Sequence, residues 1–272
     1  MIAFASNSLL CRLALKQTSI DAATFTFVRI LSGAVVLFVI VRMRQRVQKT
    51  SQEGSWLSSL ALFTYAAAFS FAYLSLSAAT GALLLFGAVQ ATMILWGLRK
   101  GELLHFRQTI GLALALIGLI VLLLPGLSAP PLGGALLMLS AGVAWGIYSL
   151  RGKGTRDAIS ATAGNFLRAV PFAAALALAS IGRTRVDPAG VIYAVFSGAL
   201  ASGIGYVIWY GALPSLTAAS AATVQLSVPV LAAAGGIFLL SEPLTLRFLL
   251  ASIAVLGGIA MVVLPPRRRA PL

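Results

Sequence analysis

Side-chain amides stand inside otherwise apolar stretches of this 272-residue chain, among them Asn7, between Ser6 and Ser8; Gln90; and Gln225, one turn before Pro229. Hydrocarbon offers an amide no water, so each must bind a solute's carboxylate, amine or carbonyl, or else a neighbouring helix. Aromatic residues accompany them. Tyr65, Phe69 and Tyr73 recur every fourth residue, which stacks them along one helix face. Tyr206 and Tyr210 repeat that spacing beside Trp209, and Phe86, Trp145 and Tyr148 extend the set. Two such stripes facing each other would wall a cavity for a planar, apolar or cationic solute. The alternative is packing in a bundle core or anchoring at the membrane interface. Pro229 removes a helical hydrogen bond and marks a kink or hinge. Arg29 and Arg168 lie within apolar runs, near enough to the preceding loop to snorkel, so structural roles are expected. Glu102 and Glu242 stand at run ends, with Arg107 and Arg247 five residues on, and are expected to form caps or loop-fixing ion pairs.

Other chemistries find no residues. His105 stands alone without a Cys or His cluster, no Ser-His-Asp set can meet in one membrane plane, and no glycine-rich phosphate loop follows a strand. An enzyme, a metal centre or a cofactor is therefore not expected. All six acidic residues fall in loops or at helix ends, so no carboxylate sits at mid-membrane to shuttle protons. Facilitated diffusion or exchange is expected. The single cysteine, Cys11, excludes a disulfide within the chain.

The elements that position these residues follow from composition. With 60% hydrophobic and 10% charged residues and a mean hydropathy of +0.98, the chain belongs in lipid. Charges cluster between apolar runs near the roughly 20 residues that a membrane-crossing helix needs. Ten runs are read, over residues 2–15, 22–41, 56–77, 79–98, 107–124, 132–150, 159–181, 189–210, 215–240 and 246–264. They are too long and too evenly apolar for a β-barrel, so the fold class is all-α, a polytopic membrane protein of ten helices. The first run lacks the basic start and small-residue cleavage pattern of a signal peptide.

The chain also says much the same thing twice. Phe27-Val28-Arg29 returns as Phe166-Leu167-Arg168, Tyr73 as Tyr210, Gly101-Glu102 as Ser241-Glu242, and Gly118 as Gly258, at an offset of about 137 to 140 residues. Two five-helix units, 1–126 and 127–272, are expected. Because five is odd, the second must enter the membrane inverted. Cations agree: Arg42 to Lys49, Arg99, Lys100, Arg107, Arg151 to Arg156 and Arg267 to Arg269 fall on one face, against Arg12, Lys16, Arg183, Arg185 and Arg247 on the other. The richer face, carrying both termini, is expected to be cytoplasmic at a bacterial inner membrane. The net charge of +14 is explained by these loops and by lipid headgroups rather than by nucleic acid. The expected partners are a small-molecule solute and the bilayer, with the chain a monomer or weak homodimer. Gly111, Gly118, Gly257 and Gly258 would serve close helix contact.

The ten-run pattern, the arginines of runs two and seven, the glutamates after runs four and nine, and Trp145-Gly146 resemble the EamA-type branch of the drug/metabolite transporter superfamily. Phe4-Ala5-Ser6-Asn7 followed by Arg12 occupies the place of that family's first-helix motif, and Pro229 with Glu242 matches its ninth helix. Helix four departs, with Gly87-Ala88-Val89-Gln90 where a proline is common. The resemblance implies export or exchange of small metabolites, amino acids or drug-like cations through a central cavity. A channel or a membrane assembly factor is the alternative.

Overall fold

Serine, threonine and aspartate side chains set where the helices begin. Ser55 and Ser77 accept from the amides of Ser58 and Thr80, Asp157 and Asp187 from those of Ser160 and Gly190, and Thr245 from that of Phe248. Each satisfies an amide that the first helical turn leaves without a partner. Asp21 accepts from the amides of Ala23 and Thr24 and from that of Arg185, tying two loops together. Partial burial acts to raise the Asp157 carboxyl, but the Ser160 hydroxyl and amide and the Arg44 guanidinium outweigh it and hold the group below its ordinary value.

The computed structural model describes residues 1–45, 54–101, 103, 105–124, 129–152, 155–212, 225 and 227–263. It is all-helical over those residues. The helices are α1 Ile2–Gln17, α2 Ala22–Gln45, α3 Trp56–Ala72, α4 Ala78–Arg99, α5 Phe106–Leu123, α6 Leu132–Gly152 and α7 Ala158–Ala179. They continue with α8 Pro188–Ala212, α9 Ser227–Leu240 and α10 Leu246–Val263. Among the described residues seven helices, α2, α4 to α8 and α10, are long and apolar enough to cross a membrane. Helices α3 and α9 are shorter apolar helices.

Two details differ from the sequence reading. The run over 56–77 stops being helical at Ala72, because the chain turns through Tyr73 and Ser77 begins the next helix. Helix α8 carries a π-helical middle, Ser197–Ile204, where small residues face α2: a Cβ on Gly198 would stand 2.0 Å from the Arg29 carbonyl oxygen. No periodicity in an apolar run announces such a widened turn. The start of the 215–240 run, the junction at 126/127, and Glu102 lie outside the described residues.

Small residues also decide which helices touch. Helix α5 crosses α10 where a Cβ on Gly111 would stand 2.6 Å from the Gly258 carbonyl oxygen, and one on Gly118 would stand 3.1 Å from that of Ala251. Gly257 meets nothing and takes no part. Helix α2 packs on α7 and α8, α6 on α3 and α4, and α1 on α8 and α9. Outward, Ile110, Ile117 and Ile120 of α5 and Leu249, Leu250 and Ile253 of α10 are exposed, a surface suited to lipid.

Candidate functional site

Along the middle of the bundle the described residues form an end closed by an ion pair, the sealed end, a closed centre of rings, and an end that holds a cavity, the open end. The sealed end is built on α1. Arg12 Nε donates to Glu242 Oε1 at 3.0 Å, and a second guanidinium nitrogen of Arg12 donates to the Tyr73 carbonyl at 2.8 Å. The other carboxylate oxygen of Glu242 accepts from the Ala78 amide, at the start of α4, at 2.8 Å. Lys16 donates to the Leu240 carbonyl. The pair is largely dry, with Arg12 15% and Glu242 7% exposed. Ser241 holds φ at +52°, a left-handed conformation uncommon outside glycine, and thereby turns Glu242 back under α9, where its amide donates to the Gly236 carbonyl. The partner of Glu242 thus comes from the first helix.

The centre is a cluster of rings. Trp145 is its hub, with ring centroids 4.8 Å from Tyr65, 5.1 Å from Tyr206 and 5.4 Å from Tyr148. Phe4 packs edge-on against Trp145, Tyr206 and Trp209. The space left among Phe4, Asn7, Tyr65, Phe69, Phe86, Leu85, Trp145 and Tyr206 is about 20 Å³, so the rings meet rather than standing apart around an open chamber. Asn7 Nδ2 donates to the Tyr65 hydroxyl at 3.2 Å, and Asn7 Oδ1 accepts from the Ser197 hydroxyl. Arg29 does not snorkel. It is 2% exposed and directs its guanidinium inward, 5.2 Å from the Tyr65 ring centroid, 4.8 Å from that of Phe69, with a 3.0 Å hydrogen bond to the Tyr65 hydroxyl. Arg168 is half-buried and donates to the Gly164 carbonyl one turn nearer the helix start.

At the open end a cavity of about 230 Å³ is lined by Ser55, Ser58, Tyr148, Arg151, Asn165 and Tyr210, among others. Asn165 accepts from the Ser55 amide at 2.8 Å and faces the Tyr148 hydroxyl at 3.5 Å. Arg151 donates to the hydroxyls of Ser58 and Ser55 at 3.0 and 3.1 Å. Beyond them Arg44 and Asp157 form a partly exposed pair at 3.4 Å.

The expected residues therefore separate by depth. Asn7, Tyr65, Phe69, Phe86, Trp145 and Tyr206 meet at the centre, and Tyr148 and Tyr210 line the open end. Trp209 stands behind Phe4, while Tyr73 belongs to the seal, its hydroxyl donating to the Ala78 carbonyl. Gln90 is buried in α4 and lines neither cavity; Gln225 is helical and half-buried, and Pro229 is buried in the first described turn of α9. Sequence reasoning did not single out Asn165, Ser55, Ser58 or Arg151 for the site. Asn165 carried the signal that selected Asn7, an amide within an apolar run.

Among the described residues, no group of three or more His, Cys, Asp or Glu is placed to hold a metal ion. The chain resembles known proteins along its whole length. It is 59% identical over 270 residues to an uncharacterized protein of Pseudomonas aeruginosa, covering 99% of this chain and 94% of the relative. It is 28% identical to an uncharacterized transporter of Archaeoglobus fulgidus, over 89% of this chain and 87% of that one. An uncharacterized transporter of Bacillus subtilis is 24% identical over 87% and 85%. One solved crystal structure shares the fold, with a TM-score of 0.66 at 21% identity over 98% of both chains. The EamA-like transporter family matches residues 1–124 and again residues 132–264. With apolar helices of this kind and two family matches spanning nearly all its length, the chain is an integral membrane protein that belongs to the EamA-like transporter family.

Proposed function

We propose that the chain is a secondary transporter that moves a small organic solute by alternating access between two inverted five-helix units, residues 1–126 and 127–272. The observation that carries this reading is the polarity of the path: one end locked by the buried Arg12–Glu242 pair, the other open as a cavity of about 230 Å³, with touching rings between them. A shut channel could show the same polarity, but the family matched is one of transporters, and a transporter caught open to one side has this form.

Contacts between the helices support the inversion. The α5–α10 crossing joins Gly111 to Gly258 and Gly118 to Ala251, and replacing each residue by its counterpart 140 positions away exchanges the two contacts. Packing of α2 on α8 likewise has its counterpart in α7 on α3. Tyr73 and its counterpart Tyr210 stand at opposite ends of the path, as equivalent residues of inverted units must. The two successive family matches support the division into units. In this reading all ten helices cross, the cation-rich end bearing Arg44 and Arg151 faces the cytoplasm together with both termini, and the state seen is open inward. The membrane is the plasma membrane of a prokaryotic cell, in keeping with the sources of the relatives.

Solute release from proteoliposomes tests the proposal. Vesicles holding the full chain are loaded with a cell metabolite extract, and mass spectrometry follows which solutes leave. The expected result is selective, saturable loss that the same solute on the far side accelerates. Loss that matches protein-free vesicles, or that fails to saturate, refutes it.

A further inference from the structure

Arg29 and Tyr65 present hydrogen-bond donors at the centre of the path with nothing to receive them. One terminal nitrogen of Arg29 donates to the Tyr65 hydroxyl, while the other is buried and has no hydrogen-bond partner. The Tyr65 oxygen already accepts from both Arg29 and Asn7, so its lone pairs are occupied and its own proton is left to give. Among the described residues the carboxylates in ion pairs are Glu242 and Asp157, bound to Arg12 and Arg44, and no carboxylate lies within ion-pair distance of Arg29. A buried guanidinium balanced only by ring faces is electrostatically unfinished. The same geometry argues against a cationic solute, because the faces of Tyr65 and Phe69 that would attract one are already covered by Arg29.

Resting on the transport reading above, we infer that the solute carries an anionic group, a carboxylate, which docks on the free guanidinium nitrogen of Arg29 and the Tyr65 hydroxyl while its apolar body replaces contacts among the rings of Phe69, Trp145 and Tyr206. The side chain that supplies the positive charge comes from the first unit alone. Its repeat counterpart, Arg168, is turned toward the Gly164 carbonyl, so among the described residues Arg29 has no symmetry-related partner at the centre of the path.

The test compares 3-phenyllactate with 3-phenyllactamide, which differ only in carboxylate against neutral amide, by equilibrium binding to the full chain in nanodiscs. The acid is expected to bind at least about tenfold more tightly, and Arg29→Gln to bring the two within about twofold. Equal affinity of acid and amide for the native chain, or an unchanged preference in folded Arg29→Gln, overturns the inference. If Arg29→Gln does not fold, Tyr65→Phe decides: it keeps ring and charge but loses the hydroxyl, and an affinity for the acid unchanged within about twofold is the refuting result. Should neither probe bind, the solutes released in the extract assay decide. Release confined to solutes that carry an anionic group, zwitterions included, upholds the anchor; release of solutes without one overturns it while leaving transport standing; no release removes the transport reading itself.

Discussion

Replacing Glu242 by Gln removes one charge from the sealed end while keeping the size of the side chain. Arg12 is then left 15% exposed with the carbonyls of Tyr73 and Leu74 as its acceptors, and the Ala78 amide keeps only a neutral oxygen. Breaking a buried pair on one side costs about 3–5 kcal/mol, and the remaining carbonyl acceptors set the value here at the lower end, about 3 kcal/mol. Because the pair exists only while this end is shut, nearly all of that falls on the shut state. The equilibrium between shut and open should move by about a hundredfold. The chain supplies its own reporter in Cys11, which precedes Arg12 in α1 and is fully buried. The rate at which a water-soluble thiol reagent modifies Cys11 in nanodiscs should rise toward that factor in Glu242→Gln. Asp157→Asn, which alters the pair at the other end, should leave the rate unchanged. A Cys11 rate in folded Glu242→Gln within about twofold of the native rate would show that the pair does not hold the seal.

Asp157→Ala removes the cap of α7 and should lower thermal stability by about 1 kcal/mol, read from the unfolding midpoint. Its contribution should be full above the ordinary carboxylate value of 3.8 and fade as pH falls through the lowered value of the folded state, a loss absent from the variant's pH profile. Gly198→Ala would set a Cβ 2.0 Å from the Arg29 carbonyl and 2.1 Å from the Ser32 hydroxyl, both across the α2–α8 contact. It should destabilise the protein by at least about 2 kcal/mol, with Gly257→Ala, which meets nothing, as the neutral control in the same melts.

Helix existence was legible because apolar length and charge clustering answer to one physical demand, the absence of water in the bilayer. Helix ends were less so: Ser77 reads both as the tail of one apolar run and as the cap of the next, and only the turn at Tyr73 separates them. Of the candidate site, the aromatic spacing singled out Tyr65, Phe69 and Tyr206, but spacing fixes a face and not a depth. It could not tell that Tyr73 would close one end and Tyr210 line the other. Arg29 illustrates the same limit. Its distance along the chain from the helix start allowed snorkelling, while its inward direction rests on the rings of Tyr65 and Phe69, contacts between residues of different helices. The Arg12–Glu242 pair was illegible for that reason too, since its members lie 230 positions apart.

The proposed inversion makes a demand on the opposite end of the path that the present state does not exhibit. If the units exchange shapes, the lock must pass from one set of residues to its counterpart: Arg12 answers to Arg151, and Glu242 to Glu102. Arg151 stands at the open end and spends its donors on Ser55 and Ser58, as an arginine waiting for a carboxylate would. Glu102 lies outside the described residues and is reached through the repeat alone. Glu102→Gln should therefore weaken the outward-open state and spare the state seen here, slowing solute exchange by about tenfold or more without raising the Cys11 rate. Glu242→Gln, by contrast, should raise that rate, and the double variant should fall between the two. A Glu102→Gln protein whose Cys11 became as reactive as in Glu242→Gln would mean that both glutamates support one closed end, and two inverted units could not then be trading a single lock.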